Sequence, residues 1–446
     1  MPSLKNQAIR GTIWTLAGYG GGQTLRLGGN LLLTRLLVPE LFGLMALVQT
    51  FIIGLTLFSD IGIRPAIIRS SRWQDEKFLN TAWTMQVIRG CWIWLGCLLV
   101  AWPVAKFYGD DRLIWLLPLV GLTALISGFN STSLAVLNRK MEVGKLTRFE
   151  AIAQAVTLLV MVVWAYFRPS IWALVIGNLV GSVLKLVWSH RIDPDISNRF
   201  AWEKSSLREL VSFGQWIFIS TAMTFVATQA DRLILGRLFS LEFLGIYTVA
   251  FTFADLPRQI AQKVASQVVF PVISRYTHLD RSELRLKVLR KRRFLLLGLA
   301  SLVALLASFG DLLVLTLYDE RYQQASWMLP VLALGLWPFL LSATIDKTLF
   351  AIGKPKFVAL GNFLKFLYMI ILLPLAYKEF GVLGAVVVVA FNDLPFYAAV
   401  NYGLWREKLG GTQQDIAATL LLCGLTLTIW GIRYTMGFGL PIDNIL

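Results

Sequence analysis

Several ionisable residues sit inside otherwise apolar stretches of this 446-residue chain. Arg26 lies about 15 residues into the first apolar run, roughly 22 Å along a helix at 1.5 Å per residue. Arg89 is near the middle of the third run, Asp255 and Arg258 near mid-depth of the eighth with Lys263 beyond them, Lys365 in the eleventh and Asp393 in the twelfth. A charge in hydrocarbon is costly, so such residues mark functional sites and need a partner or a wet cavity. Asp60, Asp255, Asp346 and Asp393 have the chemistry to carry a proton or a sodium ion, and the only cofactor-like requirement expected is a gradient of one of these ions. Structural roles compete with these. Asp255 and Arg258 are three apart on one helix face and can neutralise each other. Arg89 has Asp393 as its one identifiable partner, or none. Lys185 and Lys347 are near enough to a helix end to snorkel. Asp231 and Arg232, close to the far end of the seventh run, suit a salt bridge or a gate.

Other chemistries find little support. His190 and His278 are far apart in polar connectors, and Cys91, Cys97 and Cys423 form no CxxC pair, so neither a metal site nor a disulfide framework is expected. The connectors on the non-cytoplasmic side are short and hold no DxD-like cluster, which argues against an enzyme. Gly18-Tyr19-Gly20-Gly21-Gly22 resembles a nucleotide loop only superficially, because no strand precedes it and it lies within an apolar run. Close helix packing or bending of the first helix fits it better, with Gly20, Gly21 and Gly22 as the bending points. Asn130-Ser131-Thr132 matches a glycosylation sequon by accident, inside a span.

The elements that carry these residues are membrane spans. Charged residues make up 15% of the chain and hydrophobic residues 56%, and the mean hydropathy is +0.65; soluble domains carry about 25% charged residues. Apolar runs of spanning length recur throughout, without the alternation a membrane β-barrel requires. Spans are predicted near 11–34, 41–69, 78–105, 113–137, 147–167 and 170–190, then near 208–235, 242–271, 293–317, 326–352, 357–377 and 381–404, with one more run near 414–433. With the amino terminus in the cytoplasm, about 26 Lys and Arg fall in cytoplasmic connectors and about nine on the opposite side. That bias sets the orientation and accounts for the net charge of +16 without nucleic acid. No signal-peptide cleavage pattern is expected. In the connector 191–207, Ser206-Leu207-Arg208-Glu209 reads as a capping box starting the seventh span. The basic connector 274–293 reads either as a surface helix on anionic lipid or as a solvated loop.

Self-similarity is the strongest signal. LLLTRLLVPELFGLMALVQTF at 31–51 aligns without gaps to LILGRLFSLEFLGIYTVAFTF at 233–253, with Arg35/Arg237, Glu40/Glu242, Gly43/Gly245, Thr50/Thr252 and Phe51/Phe253 identical. Tyr108 before Leu117-Pro118 is echoed by Tyr318 before Leu329-Pro330. Six spans separate the copies, so both halves enter the membrane in the same sense, as in parallel-repeat transporters. The expected division is 1–192 for a first lobe, 193–207 for a cytoplasmic linker, 208–405 for a second lobe and 412–434 for an additional carboxyl-terminal helix.

These repeated segments, including ADRLILGRLFSLEFLGIYTVAFTF, resemble the O-antigen and colanic-acid type of polysaccharide flippase within the multidrug/oligosaccharidyl-lipid/polysaccharide superfamily, over about residues 5–405. The resemblance implies an all-α integral membrane fold of two pseudo-symmetric six-helix lobes around a central cavity. It also implies transfer of undecaprenyl-pyrophosphate-linked oligosaccharide from the cytoplasmic to the periplasmic leaflet of the inner membrane. Family members have twelve or fourteen spans; the thirteenth run here departs from that. A diphosphate headgroup is matched best by guanidinium and ammonium groups, which makes Arg26, Arg89, Arg258 and Lys365 the candidate headgroup contacts. Expected partners are the lipid-linked oligosaccharide, anionic membrane lipids, and polysaccharide polymerase and chain-length machinery, with no nucleic acid. A lipid II flippase or a multidrug antiporter of the same superfamily is the alternative. A drug antiporter favours an acidic cavity, and the deep charges here are at least as basic as acidic.

Overall fold

The structure, a computed structural model, describes residues 4–140, 142–265, 269, 273 and 280–443, without the side chains of 4–17, 19, 143, 211–224 and 226–228. The chain divides into two compact units, Met1–Phe225 and Val226–Leu446. Every regular element among the described residues is helical. The first unit holds α1 (Leu4–Leu36), α2 (Pro39–Phe58), α3 (Ile63–Arg69), α4 (Glu76–Tyr108), α5 (Arg112–Gly128), α6 (Ser133–Arg139), α7 (Val143–Phe167), α8 (Ile171–Ser189) and the start of α9 (Lys204–Leu238). The second holds the rest of α9, then α10 (Leu241–Ala254), α11 (Leu256–Val264), α12 (Arg281–Leu317), α13 (Ala325–Gly335), α14 (Trp337–Ala343), α15 (Lys347–Ala351), α16 (Lys356–Ala390), α17 (Leu394–Arg406) and α18 (Thr412–Thr435). Among the described residues eight helical stretches are long and apolar enough to cross a membrane, or nine if the bent pair α5–α6 is one span. One of the eight, Lys356–Arg406, runs to 51 residues. It is a hairpin: Gly381 takes φ 60°, ψ −143°, and beyond it the chain folds back, setting Gly403 against Phe357 and Gly361 against Phe396.

The internal repeat survives in three dimensions. α1 ends at Leu36 and α2 begins at Pro39; α9 ends at Leu238 and α10 begins at Leu241, the same 202-residue offset as the sequence match. Val38 and Ser240, the residues before the second helices, are both extended (φ −78°, ψ 150° and φ −67°, ψ 154°). Phe51 meets Tyr108 edge-to-face at 5.9 Å, and Phe253 meets Tyr318 edge-to-face at 6.0 Å. Matching residues thus make matching contacts, each within its own unit.

Several runs that read as continuous spans are broken. The run 41–69 stops at Phe58 and resumes at Ile63, because Gly62 adopts a left-handed φ of 63° and the Asp60 carboxylate accepts its N–H at 2.9 Å. The run 113–137 bends by 59° between α5 and α6. In the second unit breaks fall at Asp255, at Leu336, at Thr344–Asp346 and at Phe391–Asp393. Proline follows three of them, at Pro257, Pro338 and Pro395, where it cannot continue the preceding helix but suits the first turn of the next.

Two connector expectations change. Ser206 lies inside α9 and donates to Glu203, while Glu209 accepts from Ser70 at 2.7 Å, so the capping box does not form. Arg72 binds Asp75 at 2.5 Å and Glu203 at 2.7 Å, tying the connector to the start of α4. The hydrogen bond from Arg72 holds the Asp75 carboxyl below its usual range, and those from Ser206 and then Arg72 do the same for Glu203. Depressed carboxylate pKa values stabilise above the unfolded value, and that contribution is lost as pH falls through the folded value. Amide hydrogen exchange across residues 199–204, corrected for its intrinsic pH dependence, is therefore expected to rise once the pH drops below about 4; unchanged protection there counts against the clamp. The basic segment is no separate surface helix from Arg281 onward, since α12 runs unbroken from Arg281 to Leu317; residues 274–279, with Arg275 and Leu279, lie outside the described residues.

The last apolar run is fastened to α12 at both ends. Arg292 pairs with Asp415 at 2.6 Å, and Arg433 pairs with Asp311 through two bonds of 2.7 and 2.8 Å. Arg292 is 2% exposed and Arg433 3%. Between the pairs, Leu422 and Ala418 pack with Leu299, Ala300 and Val303. The order of the partners makes α12 and α18 parallel. The pairs stand about 27 Å apart along the helices, close to a bilayer's hydrocarbon thickness of about 30 Å. Arg292 also donates to Thr344 at 2.8 Å and to the Leu341 carbonyl at 2.7 Å, binding the loose end of α14.

Candidate functional site

Each unit places charged residues where helices break. In the first, Arg89 on α4 reaches the end of α2. Its Nη2 donates to the Thr56 carbonyl at 2.7 Å, one of the acceptors a helix end leaves without an intrahelical partner, and its Nε donates to Ser59 Oγ at 3.2 Å. Asp60 lies 3.8 Å from the guanidinium. Three residues earlier on α4, Gln86 donates to the carbonyls of Gly128 (3.1 Å) and Asn130 (3.0 Å), closing the end of α5 in the same way. Gly90 permits this: a Cβ there would come within 3.1 Å of the Gly128 Cα and the Ala124 oxygen. α4 thereby braces two broken helices and opens a cavity of about 560 Å³ lined by Thr56, Asp60, Arg64, Gln86, Arg89 and Asn130 among others. Two cations and one carboxylate face it. Within its own unit Arg89 is engaged by Thr56, Ser59 and Asp60, and Asp393, the partner considered for it from the sequence, is held within its own unit by Arg258 and Lys365.

In the second unit Asp255, Arg258, Lys365 and Asp393 form one cluster. Arg258 bridges two carboxylates, Nε to Asp255 at 2.8 Å and Nη2 to Asp393 at 2.6 Å; Lys365 Nζ reaches the other oxygen of Asp393 at 2.6 Å. The mutual neutralisation of Asp255 and Arg258 read from their spacing is present, and Asp393 and Lys365 extend it. The Arg258 guanidinium also lies 4.0 Å from the centroid of Phe339, a cation–π contact. Asp393 is 1% exposed and Lys365 5%. Asp255 sits at the α10–α11 joint and Asp393 at the start of α17, so the break in each span delivers a carboxylate to the cluster. A cavity of about 250 Å³ adjoins it, lined by Arg232, Asp255, Arg258, Lys365 and Asn392 among others. Asp231 lines it too, accepting from the buried Tyr247 hydroxyl at 2.8 Å. Arg232 donates to Gln229 at 3.1 Å and stands over Phe251. Asp231 and Arg232, read from the sequence as a salt bridge or a gate near the end of the seventh span, line the same cavity as Asp255, Arg258 and Lys365.

The remaining candidates lie apart. Asp346 pairs with Lys347 at 3.2 Å and lines neither cavity. Lys185 stands 3.8 Å from Glu150. Arg26 is exposed on α1. Gly20 and Gly21 face open space on an unbroken α1, whereas Gly18 and Gly29 are the positions pressed against Thr147 and Leu158 of α7. Sequence reasoning missed Arg64 and Gln86. Arg64 looked like a connector charge because the break after Phe58 was not foreseen. Gln86, three before Arg89, was legible as a same-face neighbour. Among the described residues no group of three His, Cys, Asp or Glu could hold a metal.

Long apolar helices, helix breaks carrying buried charges, and a duplicated arrangement define a multi-pass membrane transporter. Residues 32–327 match the family described as polysaccharide biosynthesis protein, and the chain belongs to that family. It is similar to the succinoglycan biosynthesis transport protein ExoT of Rhizobium meliloti, 22% identical over 335 residues that cover 75% of this chain and 67% of that protein. It is also similar to a putative O-antigen transporter of Shigella flexneri, 21% identical over 397 residues, covering 85% and 93%. Among solved structures, the lipid II flippase MurJ in an inward closed conformation superposes with a TM-score of 0.68 over 96% of this chain and 93% of that one, at 14% identity. At that identity the likeness is one of fold.

Proposed function

We propose that this protein is a flippase that moves prenyl-diphosphate-linked oligosaccharide repeat units from the cytoplasmic to the periplasmic leaflet of a bacterial inner membrane by alternating access. The observation that carries the reading is the pair of cavities at helix breaks, one presenting Arg64 and Arg89 and the other Arg232, Arg258 and Lys365, in a chain of the polysaccharide biosynthesis family. Guanidinium and ammonium groups in a low-dielectric site suit a diphosphate, and the prenyl chain stays in lipid. Exposed Arg26 supplies a further cation on α1.

On this reading residues 1–192 and 208–405 are the moving lobes, the amino terminus is cytoplasmic, and Gly20, Gly21 and Gly22 let α1 bend. Asp231 with Arg232 serves as a gate element, while Asp60, Asp255, Asp346 and Asp393 are the candidates for coupling to a proton or sodium gradient. Anionic lipids meet the exposed Arg285, Lys287, Arg290, Lys291 and Arg293, and polymerase and chain-length proteins receive the product. The protein does no covalent chemistry in this scheme.

The test is extraction of prenyl-linked oligosaccharides from a deletion strain. Repeat units accumulating on the cytoplasmic side, with surface polymer lost, are expected. Unchanged surface polymer and unchanged prenyl-linked pools discard the reading and favour lipid II or drug transport.

A further inference from the structure

The cluster in the second unit poses a question that a cationic binding site does not answer, because two of its three cations are already held by carboxylates. Three cations border the 250 Å³ cavity, Arg232, Arg258 and Lys365, and three carboxylates stand with them, Asp231, Asp255 and Asp393. The groups come from five of the helices around the space, Asp231 and Arg232 from α9, Tyr247 from α10, Asp255 from its joint with α11, Arg258 from α11, Lys365 from α16 and Asp393 from the start of α17, while α13 contributes only the apolar Leu332. Asp231 is occupied by Tyr247. The other two carboxylates are held end to end by Arg258, and Lys365 grips the second oxygen of Asp393.

That geometry is what a diphosphate would demand of the same cations: two linked anionic centres, both on one guanidinium, one of them also on an ammonium. Three polar atoms in and beside the cluster are buried without a hydrogen-bond partner among the described residues: Arg232 Nε, a donor, Asn392 Oδ1, and Arg258 Nε, which lies 2.8 Å from Asp255 as an ion pair. Asn392 is 8% exposed and lines the cavity. The space therefore holds a donor that its own carboxylates do not use. At about 250 Å³ it is near the low end of ligand pockets, which start at about 300 Å³, so it admits a headgroup of diphosphate size and leaves a glycan outside.

We propose that Asp255 and Asp393 are internal stand-ins for the diphosphate of the transported lipid, holding Arg258 and Lys365 while the cavity is empty and giving them up when a diphosphate enters. This rests on the flippase reading and adds how its site is regulated. A buried pair of cations without counter-ions is strongly unfavourable, so an empty site built from cations alone would not stay dry and closed. The stand-in solves this, and it makes the headgroup compete with two carboxylates. The same pairing disfavours cationic drugs, which would find no uncommitted carboxylate on Asp393.

The experiment uses the full-length purified protein in lipid nanodiscs, with inorganic diphosphate as probe and both binding and thermal unfolding read out. Asp393→Asn removes one competitor and frees Lys365, so diphosphate is expected to bind about tenfold more tightly than to wild type. The variant should unfold at lower temperature without the probe and gain more from it than wild type does. Asp255→Asn, which breaks fewer contacts, is expected to shift binding in the same direction by less and serves if Asp393→Asn does not fold. Arg258→Ala and Lys365→Ala should each weaken binding. Folded Asp393→Asn or Asp255→Asn protein that binds diphosphate no better than wild type overturns the stand-in. Normal surface polymer in the deletion strain alongside the expected binding pattern overturns the transport reading alone; lost polymer with no response to the Asp variants overturns the stand-in alone.

Discussion

Replacing Asp311 by Asn or Arg433 by Met is expected to destabilise the second unit by about 3–5 kcal/mol, the cost of stranding one member of a buried ion pair. The geometry supports the upper part of that range. Arg433 makes two bonds to Asp311, at 2.7 and 2.8 Å, and also donates to the carbonyls of Ser308 and Phe438. Each single variant should unfold at lower denaturant and expose the carboxyl-terminal tail to protease. The double variant Asp311→Leu/Arg433→Leu should recover most of the loss, because an apolar pair replaces an ion pair in hydrocarbon with little penalty. Single variants within about 1 kcal/mol of wild type would mean that packing of Leu422 and Ala418, together with the Arg292–Asp415 pair, holds α18 in place without the Asp311–Arg433 pair. The corresponding pair at the other end, Arg292–Asp415, has Thr344, Leu341, Tyr397 and Asn401 as additional partners.

Arg89→Ala should abolish most export, by tenfold or more in prenyl-linked repeat units retained inside complemented cells, while the protein still reaches the membrane. The side chain does two jobs: it terminates α2 through the Thr56 carbonyl and it presents positive charge to the larger cavity. Its loss costs about 1.5–3 kcal/mol for the charged hydrogen bonds and removes one of the two cations there. Arg89→Lys separates the roles. A lysine keeps the charge but not the forked geometry that meets Thr56 and Ser59 together, so it should bind headgroup and still release it slowly. Equal defects in Ala and Lys variants would assign Arg89 to bracing alone. Export unaffected by Arg89→Ala would remove this cavity from the transport path.

The helical fold, the repeat and the charged positions were all legible before any coordinates. Hydropathy over windows of 18 or more residues reports spanning helices directly, because lipid forces each backbone polar group to be satisfied within its own segment. The repeat was legible because Arg35/Arg237, Glu40/Glu242 and Gly43/Gly245 are unlike the background of leucines, and the helix ends then fall at the same offset. The breaks were not. A residue such as Asp60 between Phe58 and Gly62 looks like a single polar interruption in a long apolar run, and hydropathy averages it away; the left-handed Gly62 and its bond to Asp60 are what stop the helix.

Sequence by itself determined that this chain is a multi-pass helical membrane protein with a duplicated half and charges within its spans, because composition, period and spacing are local properties. Tertiary structure decided which charges meet. Arg258, Lys365 and Asp393 are 107 and 28 residues apart in the chain, and nothing local distinguishes a cation awaiting substrate from one already held by a carboxylate. Only the crossing of α11, α16 and α17 brings them within 2.6 Å. It likewise took the pairing of Arg292 with Asp415 and Arg433 with Asp311 to show that the final apolar run lies parallel to α12, since partner choice between buried charges is set by distance in space.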